Sequence, residues 1–455
     1  MGTGKRFFHS TIYPVGMIKQ LFTNLLAASA KRAIRRDKPF IIAITGSYGK
    51  SSTKEAIAIA LGTREAGSGV RATRKNYNNE FGVPFTVLNV PAPGKDPLKW
   101  LRILLRAVWV GWGFGHVNAR MLVLEMGADR PGDLNWLVRM APPDISVITA
   151  VAEAHSEFFG TLDDVAVEKA TLVRRLKKGG VVVLNNDDPR VTAMRKETEC
   201  EAHYFGFSEG SDVRVVTTEP SVITDAHGHF LPQGIQLRLE IDEREERVLL
   251  KGTIGRPQAA SAAAALALAK QLHVPVRQAI ERLEKDYHGI AGRTRVIPGI
   301  KYTTIIDDTY NAASPATVIS AICDLAALPL LGTQRKIAVI GEMRELGEYS
   351  EEAHRAVGLE VAAKGIAYLV TVGEGGRLIA AAAREGGMDT MQIKEFDTSP
   401  EAGIYLQGYI QTGDVLLAKG SQGSRMEKVV KELMAEPLEA PFLLVRMDDE
   451  WQRMG

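Results

Sequence analysis

The stretch Ile41-Ile-Ala-Ile-Thr-Gly-Ser-Tyr-Gly-Lys-Ser-Ser-Thr-Lys-Glu55 limits what this chain can fold into more than any other. Four apolar residues, three of them β-branched, run into Thr45-Gly46. Gly49-Lys50-Ser51 follows, and Ser52 to Leu61 is a helix-forming run. That order predicts a strand, a glycine-rich turn and a helix N-terminus. Such a turn aims backbone N–H groups and the positive end of a helix dipole at a phosphate, while Lys50 supplies a cation and Ser51 a hydroxyl for Mg²⁺. The commonest P-loop spacing has a further glycine where this chain has Ile44, so the form here is the shorter Gly-x-x-Gly-Lys-Ser. A nucleoside triphosphate with Mg²⁺ is the expected ligand, contacted by Thr45, Gly46, Ser47, Gly49, Lys50, Ser51 and Ser52.

A chain of 455 residues, 45% of them hydrophobic and 24% charged, has room for two or three domains with large cores. Cys200 and Cys323 offer neither a disulfide framework nor a metal-ligand spacing, so the expected compartment is a reducing one, the cytoplasm. The net charge of +2 hides an asymmetry. Residues 1–38 hold eight Lys/Arg against one acid, Asp37, a charge of +7 that leaves −5 for the remainder. Ile18, Leu21, Phe22, Leu25 and Ala28 recur there at helical spacing, which predicts a basic amphipathic helix. Two placements follow: the helix packs on the body with its basic face in water, or residues 1–37 touch the inner face of an anionic membrane. No apolar run reaches spanning length and none reads as a signal peptide. Basic residues cluster in one short segment with no recognition module, so nucleic acid is not an expected partner.

Further along, Asn76, Asn78 and Asn79 sit in one polar loop before Gly82-Val-Pro84, a segment suited to hydrogen-bonding something other than itself. Pro97 to Gly115 is apolar with Trp100, Trp109 and Trp112, but Arg102 and Arg106 fall on one helical face. A core or interfacial helix is expected. Met121-Leu-Val-Leu-Glu-Met-Gly127 predicts a buried strand that ends in Glu125, placed to reach Mg²⁺. Strand Ile145–Val151 delivers His155, and the next helix carries Lys169. Val213 to Gly252 predicts a small antiparallel excursion of short strands, and Gly255 to Leu272 an alanine-rich helix. A boundary is expected at Gly292-Arg293-Thr294. Beyond it, strands at 302–306, 336–341, 368–372 and 415–418 alternate with helices. The fold class expected is α/β: a basic N-terminal segment (1–38), a central P-loop ATP-binding domain with a mainly parallel sheet (39–292), and a C-terminal Rossmann-like α/β domain (293–455).

These motifs occur in one order over residues 40–432, and together they resemble the Mur ligases, the ATP-dependent amide ligases of peptidoglycan precursor synthesis, especially members that add D-Ala-D-Ala. The resemblance rests on the P-loop, on Asn76-Tyr-Asn-Asn-Glu-Phe-Gly-Val-Pro84, Leu124-Glu-Met-Gly-Ala128, Ala154-His155, Val165-Ala-Val-Glu-Lys169, Asp307-Asp-Thr-Tyr-Asn-Ala312, Gly341-Glu-Met-Arg-Glu-Leu-Gly347 with His354, and Lys419-Gly-Ser-Gln-Gly-Ser-Arg-Met-Glu427. It implies an ADP-forming ligase that works through an acyl phosphate, with Lys50 on the phosphates. Ser51 and Glu125 would hold one Mg²⁺, and His155 with a carbamylated Lys169 a second. Arg293 would face the γ-phosphate, and Gln258, Asp308, Tyr310 and Asn311 the adenosine. Asn76, Asn78, Asn79, Glu342, Lys419 and Ser421 would lie on the substrate side. The chain departs from the family in having about forty residues before the P-loop where the family carries a UDP-sugar-binding domain. It also reads Gly255-Arg-Pro-Gln258 where the family has Gly-x-His-Asn, has Thr171 where an acid is common, and Gln422 where an Arg stands. The carboxyl donor expected is a peptide on a nucleotide sugar, or alternatively a lipid-linked or unrelated carboxylate. A P-loop scaffold without catalysis is the remaining alternative.

Overall fold

The computed structural model describes residues 17–74, 77–94, 96–152, 159–226 and 228–447. Its first sheet comprises β1 (Phe40–Thr45), β2 (Val70–Ala72), β3 (Met121–Glu125), β4 (Ile145–Ile148), β5 (Val181–Asn185), β6 (Glu201–Gly206), β7 (Val213–Thr224), β8 (Phe230–Ile241) and β9 (Arg244–Lys251). The spatial order is β2-β3-β1-β4-β5-β6-β7-β8-β9. Neighbours from β2 to β7 run parallel, and β7-β8 and β8-β9 run antiparallel. The expected antiparallel excursion is present, but its strands are not short. β7 and β8 are twelve residues each and extend the main sheet, with register shifts in their pairing between Val215 and Thr217 and between Ser221 and Val222.

The helices of this part are α1 (Met17–Asp37), α2 (Lys50–Ala60), α3 (Gly82–Leu88), α4 (Pro97–Gly111), α5 (Asp133–Met140), α6 (Leu162–Arg174), α7 (Pro189–Ala193), α8 (Arg256–Gln271) and α9 (Val276–Asp286). Side chains alternate across a strand, so β1 feeds two cores at once. Ile42 and Ile44 pack with Ile57 and Ile59 of α2 and the alanines of α8, while Ile41 and Ala43 join Leu26, Phe85 and Trp100. Burial on both faces is what parallel strands covered by helices require. The basic segment packs on the body, but with a different row from the one expected. Leu26, Ala30, Ala33 and Ile34 are buried, whereas Leu21 is 66% exposed.

The second sheet, β10 (Arg295–Pro298), β11 (Thr304–Asp308), β12 (Lys336–Gly341), β13 (Tyr368–Val372), β14 (Ile393–Phe396) and β15 (Val415–Lys419), has the order β10-β11-β15-β12-β13-β14 and is parallel except at β10-β11. It begins at Arg295, three residues past Gly292. Hydrogen bonds tie this strand region to the segment just past β9: Val296 N–H donates to Gly252 O, Ile254 N–H to Thr294 O, and Thr253 Oγ1 to Thr294 O.

α10 (Pro315–Ala327) brings Asp324 against the start of α8, where it accepts the backbone N–H of Arg256. A Cβ on Gly255 would meet its Oδ2 at 2.5 Å. Burial pushes this carboxyl up to about 7, with Asp308 adding to the rise. Between about pH 4 and 7 the folded chain therefore holds a proton that the unfolded chain releases, so stability falls as pH rises through that window. Asp307, raised by burial to about 6, has the same sign. Thermal unfolding followed from pH 4 to 8 is expected to show a flatter decline for Asp324→Asn than for the unsubstituted chain. An unchanged slope would exclude the assignment.

Candidate functional site

Ligands of open α/β sheets bind at the carboxyl ends of the strands. The P-loop leaves β1 there, Glu125 ends β3, and Thr149 follows β4. Gly46 lies at φ 152° and Gly49 at φ 79°, the latter as the left-handed N-cap of α2. A Cβ on Gly46 would stand 2.0 Å from Thr149 Oγ1 and 2.9 Å from Ala150 N. That threonine hydroxyl donates to the Tyr48 carbonyl at 2.5 Å, and Ser47 N–H donates to Ala150 O at 2.8 Å. The loop is thus clamped to β4, and the glycine is what lets the backbones approach. Gly46→Ala is expected to cost about 1–3 kcal/mol of stability and to weaken ADP binding. Thermal unfolding and nucleotide titration check both; unaltered values for the two would refute it.

Lys50 Nζ donates to the carbonyls of Gly46 at 2.6 Å and Ser47 at 3.1 Å, so its cation lies over the loop. Burial lowers its pKa, which Glu125 partly offsets. Ser51 donates from Oγ to Glu125 Oε1 at 3.1 Å, and Asn78 Nδ2 donates to the same oxygen at 3.1 Å. Glu125 is 1% exposed, and its Oε2 has no partner among the described residues. A buried carboxylate oxygen left without a donor is costly unless something positive meets it. A hydroxyl, a carboxylate and nucleotide oxygens are the hard donors Mg²⁺ takes.

Lys169, on α6, is 4% exposed, and among the described residues its ammonium has no hydrogen bond or ion pair. Its neighbour Glu168 is committed to the backbone N–H groups of Gly132 and Leu134. Burial first, then the charge of Lys50, lower Lys169 to about 7, against the ordinary value of about 10.4. His155 and Asn76 lie outside the described residues.

From the second sheet's side, Arg293 Nη2 donates to Ser51 Oγ at 3.2 Å, and its guanidinium lies 4.1 Å over the Tyr310 ring. Lys50, Ser51, Asn78, Glu125, Arg293 and Tyr310 therefore converge. Asp308 accepts Lys419 Nζ at 2.6 Å, and Asn311 O accepts the same ammonium at 3.0 Å. Lys419, 3% exposed, thus fastens β15 to the loop that carries Tyr310 and is not presented toward a substrate, as was expected of it. Ser421 and Glu342 meet through a backbone hydrogen bond, Ser421 N–H to Glu342 O at 3.0 Å.

Two further expectations meet a different arrangement. Gln258 is 2% exposed and its amide is spent internally: Nε2 donates to Arg293 O at 2.9 Å and Thr294 Oγ1 at 3.0 Å, and Oε1 accepts the Tyr287 hydroxyl. It anchors the Arg293 backbone where an open amide for adenine was expected. Asn79 Oδ1 accepts the N–H groups of Phe81 and Gly82, capping the entry to α3. Arg446, in a tail that carries no motif, is 8% exposed, pairs with Glu427 at 2.8 Å and donates to the carbonyls of Thr309 and Tyr310. It fixes from behind the loop whose ring supports Arg293.

Residues 44–269 match the family model of the Mur ligase middle domain, and residues 292–422 that of the Mur ligase, glutamate ligase domain. A UDP-N-acetylmuramoyl-tripeptide--D-alanyl-D-alanine ligase from Mycobacterium leprae (strain TN) is 32% identical over 403 residues, covering 84% of this chain and 71% of the relative. The ligase of the same name from Bacillus subtilis (strain 168) is 28% identical over 401 residues, covering 88% and 76%. Among solved structures, the MurF ligase from Thermotoga maritima in complex with ADP aligns with a TM-score of 0.71 at 26% identity, covering 92% of this chain and 84% of that one.

Proposed function

This chain belongs to the Mur ligase family, and from that premise we propose that it joins the peptide carboxyl of a UDP-N-acetylmuramoyl-tripeptide to the amine of D-Ala-D-Ala. It is an ADP-forming amide ligase that uses ATP with Mg²⁺. One observation carries the reading most directly: the Glu125 carboxylate, buried beside the P-loop, has one oxygen held by Ser51 and Asn78 and the other unpartnered.

The donor carboxylate attacks the γ-phosphorus and ADP leaves. The amine then attacks the acyl phosphate, phosphate departs, and the amine gives up a proton as the C–N bond forms. The first step presses a carboxylate against a triphosphate, so fixed cations decide its rate. Lys50 and the loop N–H groups hold the phosphates, and Arg293 brings charge from the C-terminal unit (293–455) to the central one (39–292). Ser51 and Glu125 would hold one Mg²⁺, and His155 with Lys169 a second. Bound there, the ions would offset charge on the transferring phosphoryl group. Lys169 serves as a carbamate, since an ammonium would repel the metal and its lowered pKa leaves a neutral amine able to take up CO₂. Asp308, Tyr310 and Asn311 border the adenosine, and Asn76, Asn78, Glu342 and Ser421 the substrates. A lipid-linked donor is a second reading, favoured by the exposed cations of α1, through which residues 1–37 would touch the membrane.

Phosphate release from ATP and Mg²⁺, measured with UDP-N-acetylmuramoyl-tripeptide, with and without D-Ala-D-Ala, tests the assignment. Release that needs both substrates is expected. Nucleotide binding without release would move the donor to the lipid-linked class.

A further inference from the structure

α4 has two apolar faces and only one of them is covered. Trp100, Ile103, Ala107 and Val110 are buried. The opposite row, Leu98, Leu101, Leu105, Val108, Trp109 and Trp112 just past the helix end, recurs every one to four residues with 40% to 67% of each residue exposed. Phe114, 69% exposed, has its ring 5.2 Å from that of Trp109. Single exposed apolar residues are ordinary on a protein surface, but a continuous row of them marks an interaction site.

The charge around the row is mostly positive, although Lys99 pairs with Asp96, Lys19 with Glu80 and Arg36 with Asp37. α4 carries Lys99, Arg102 and Arg106 with no acid, and α1 carries Lys19, Lys31, Arg32, Arg35 and Arg36 with no acid before Asp37. Arg32 joins the two helices, its guanidinium lying 4.4 Å over the Trp112 ring. On the other flank of α1, Lys31, Arg35, Lys38, Arg139 and Lys177 line a cavity of about 520 Å³. Its carboxylate, Asp144, is committed to Lys177 at 2.8 Å and to the Ile41 N–H. This cavity abuts Phe40, at the amino end of β1, whereas the P-loop leaves the carboxyl end.

We propose that the outer face of α4, flanked by the cations of α1, seats on an anionic phospholipid bilayer. Trp109 and Trp112 enter the interfacial layer, and a lipid phosphate occupies the Lys31/Arg35/Arg139 cavity. Aromatic rings beside cations suit that layer, and each cation near an anionic surface adds to the attraction. A second copy of the chain is a poorer occupant, because a two-fold contact through this face would set cations against cations. Among the described residues no helix is long and apolar enough to cross a membrane, so the contact is peripheral. Because the cation-lined cavity lies at the end of β1 away from the nucleotide site, the contact goes beyond the ligase reading and does not rest on it.

Co-sedimentation of the full chain with phosphatidylglycerol vesicles and with pure phosphatidylcholine vesicles tests this, alongside phosphate release from the same samples. Binding to the anionic vesicles alone is expected, weakened at high salt. Trp109→Ser/Trp112→Ser and, separately, Arg32→Glu/Arg35→Glu should each lower the partition coefficient by about tenfold or more. Tryptophan quenching by brominated lipid reads the contact without risk to folding: strong quenching is expected in the unsubstituted chain and much less in Trp109→Phe/Trp112→Phe. Three results would overturn the proposal. These are no preference for anionic vesicles, quenching that survives the double substitution, and a dimer in sedimentation equilibrium that the serine variant abolishes.

Discussion

Lys169→Ala is expected to lower turnover by about 10²- to 10³-fold, the scale of losing one preorganised charge partner of a transition state, while ADP binding changes little. The expectation follows from burial. An ammonium at 4% exposure, with Lys50 as a charged neighbour and no ion-pair partner among the described residues, is expensive to keep protonated. Its pKa near 7 leaves much of the amine neutral at neutral pH. A neutral amine adds to CO₂, releasing a proton and leaving a carbamate whose oxygens are hard, anionic donors. Stripping CO₂ from the assay should therefore depress phosphate release in the unsubstituted enzyme, and bicarbonate should restore it. Lys169→Ala should respond to neither. ¹³C-labelled bicarbonate should give a carbamate resonance that the variant lacks. Full activity in CO₂-free buffer, with no such resonance, would leave Lys169 a buried structural lysine.

Legibility from sequence tracked how local each cause was. The P-loop was readable because strand, Gly46, Gly49 and α2 are contiguous, and each residue type answers a local demand: left-handed backbone at Gly49, close approach at Gly46. Glu125 was readable because a strand-end carboxylate needs only its own strand. The alanine-rich α8 was equally plain, since small side chains over sixteen residues leave few other structures. What failed depended on distant partners. Gln258 reads as an open amide until Tyr287 and the Arg293 carbonyl are seen to consume it. Lys419 reads as a substrate-side cation until Asp308, 111 residues away, is seen to pair with it. β7 to β9 were readable as antiparallel strands, but alternation does not say which sheet they extend. The buried row of α1 shifted because Leu21 and Leu26 are equally apolar, and only packing against α4 chooses between them.

The same dependence on distant partners makes Arg293 the residue whose loss should separate binding from chemistry. Its chain enters at the junction of the two sheets. Its backbone carbonyl is held by Gln258 and its guanidinium lies over Tyr310, while Nη2 reaches Ser51 in the P-loop. In the role proposed for it, a charge brought across the junction to the transferring phosphoryl group, Arg293 would contribute to the transition state more than to nucleotide affinity. Arg293→Ala is therefore expected to lower turnover about 10³-fold, on the scale of an arginine supplied to a transferring phosphoryl group, with ADP affinity nearly unchanged. Arg293→Lys should recover little, because a lysine keeps the charge but loses the planar stacking on Tyr310 and the fork that reaches Ser51. Tyr310→Ala, which removes the platform but leaves both the charge and the fork, should cost less than either substitution of Arg293. Single-turnover phosphate release together with ADP titration decides the matter. If Arg293→Ala weakens ADP binding as much as it slows turnover, the guanidinium is a ground-state nucleotide contact and not a partner of the transferring phosphoryl group.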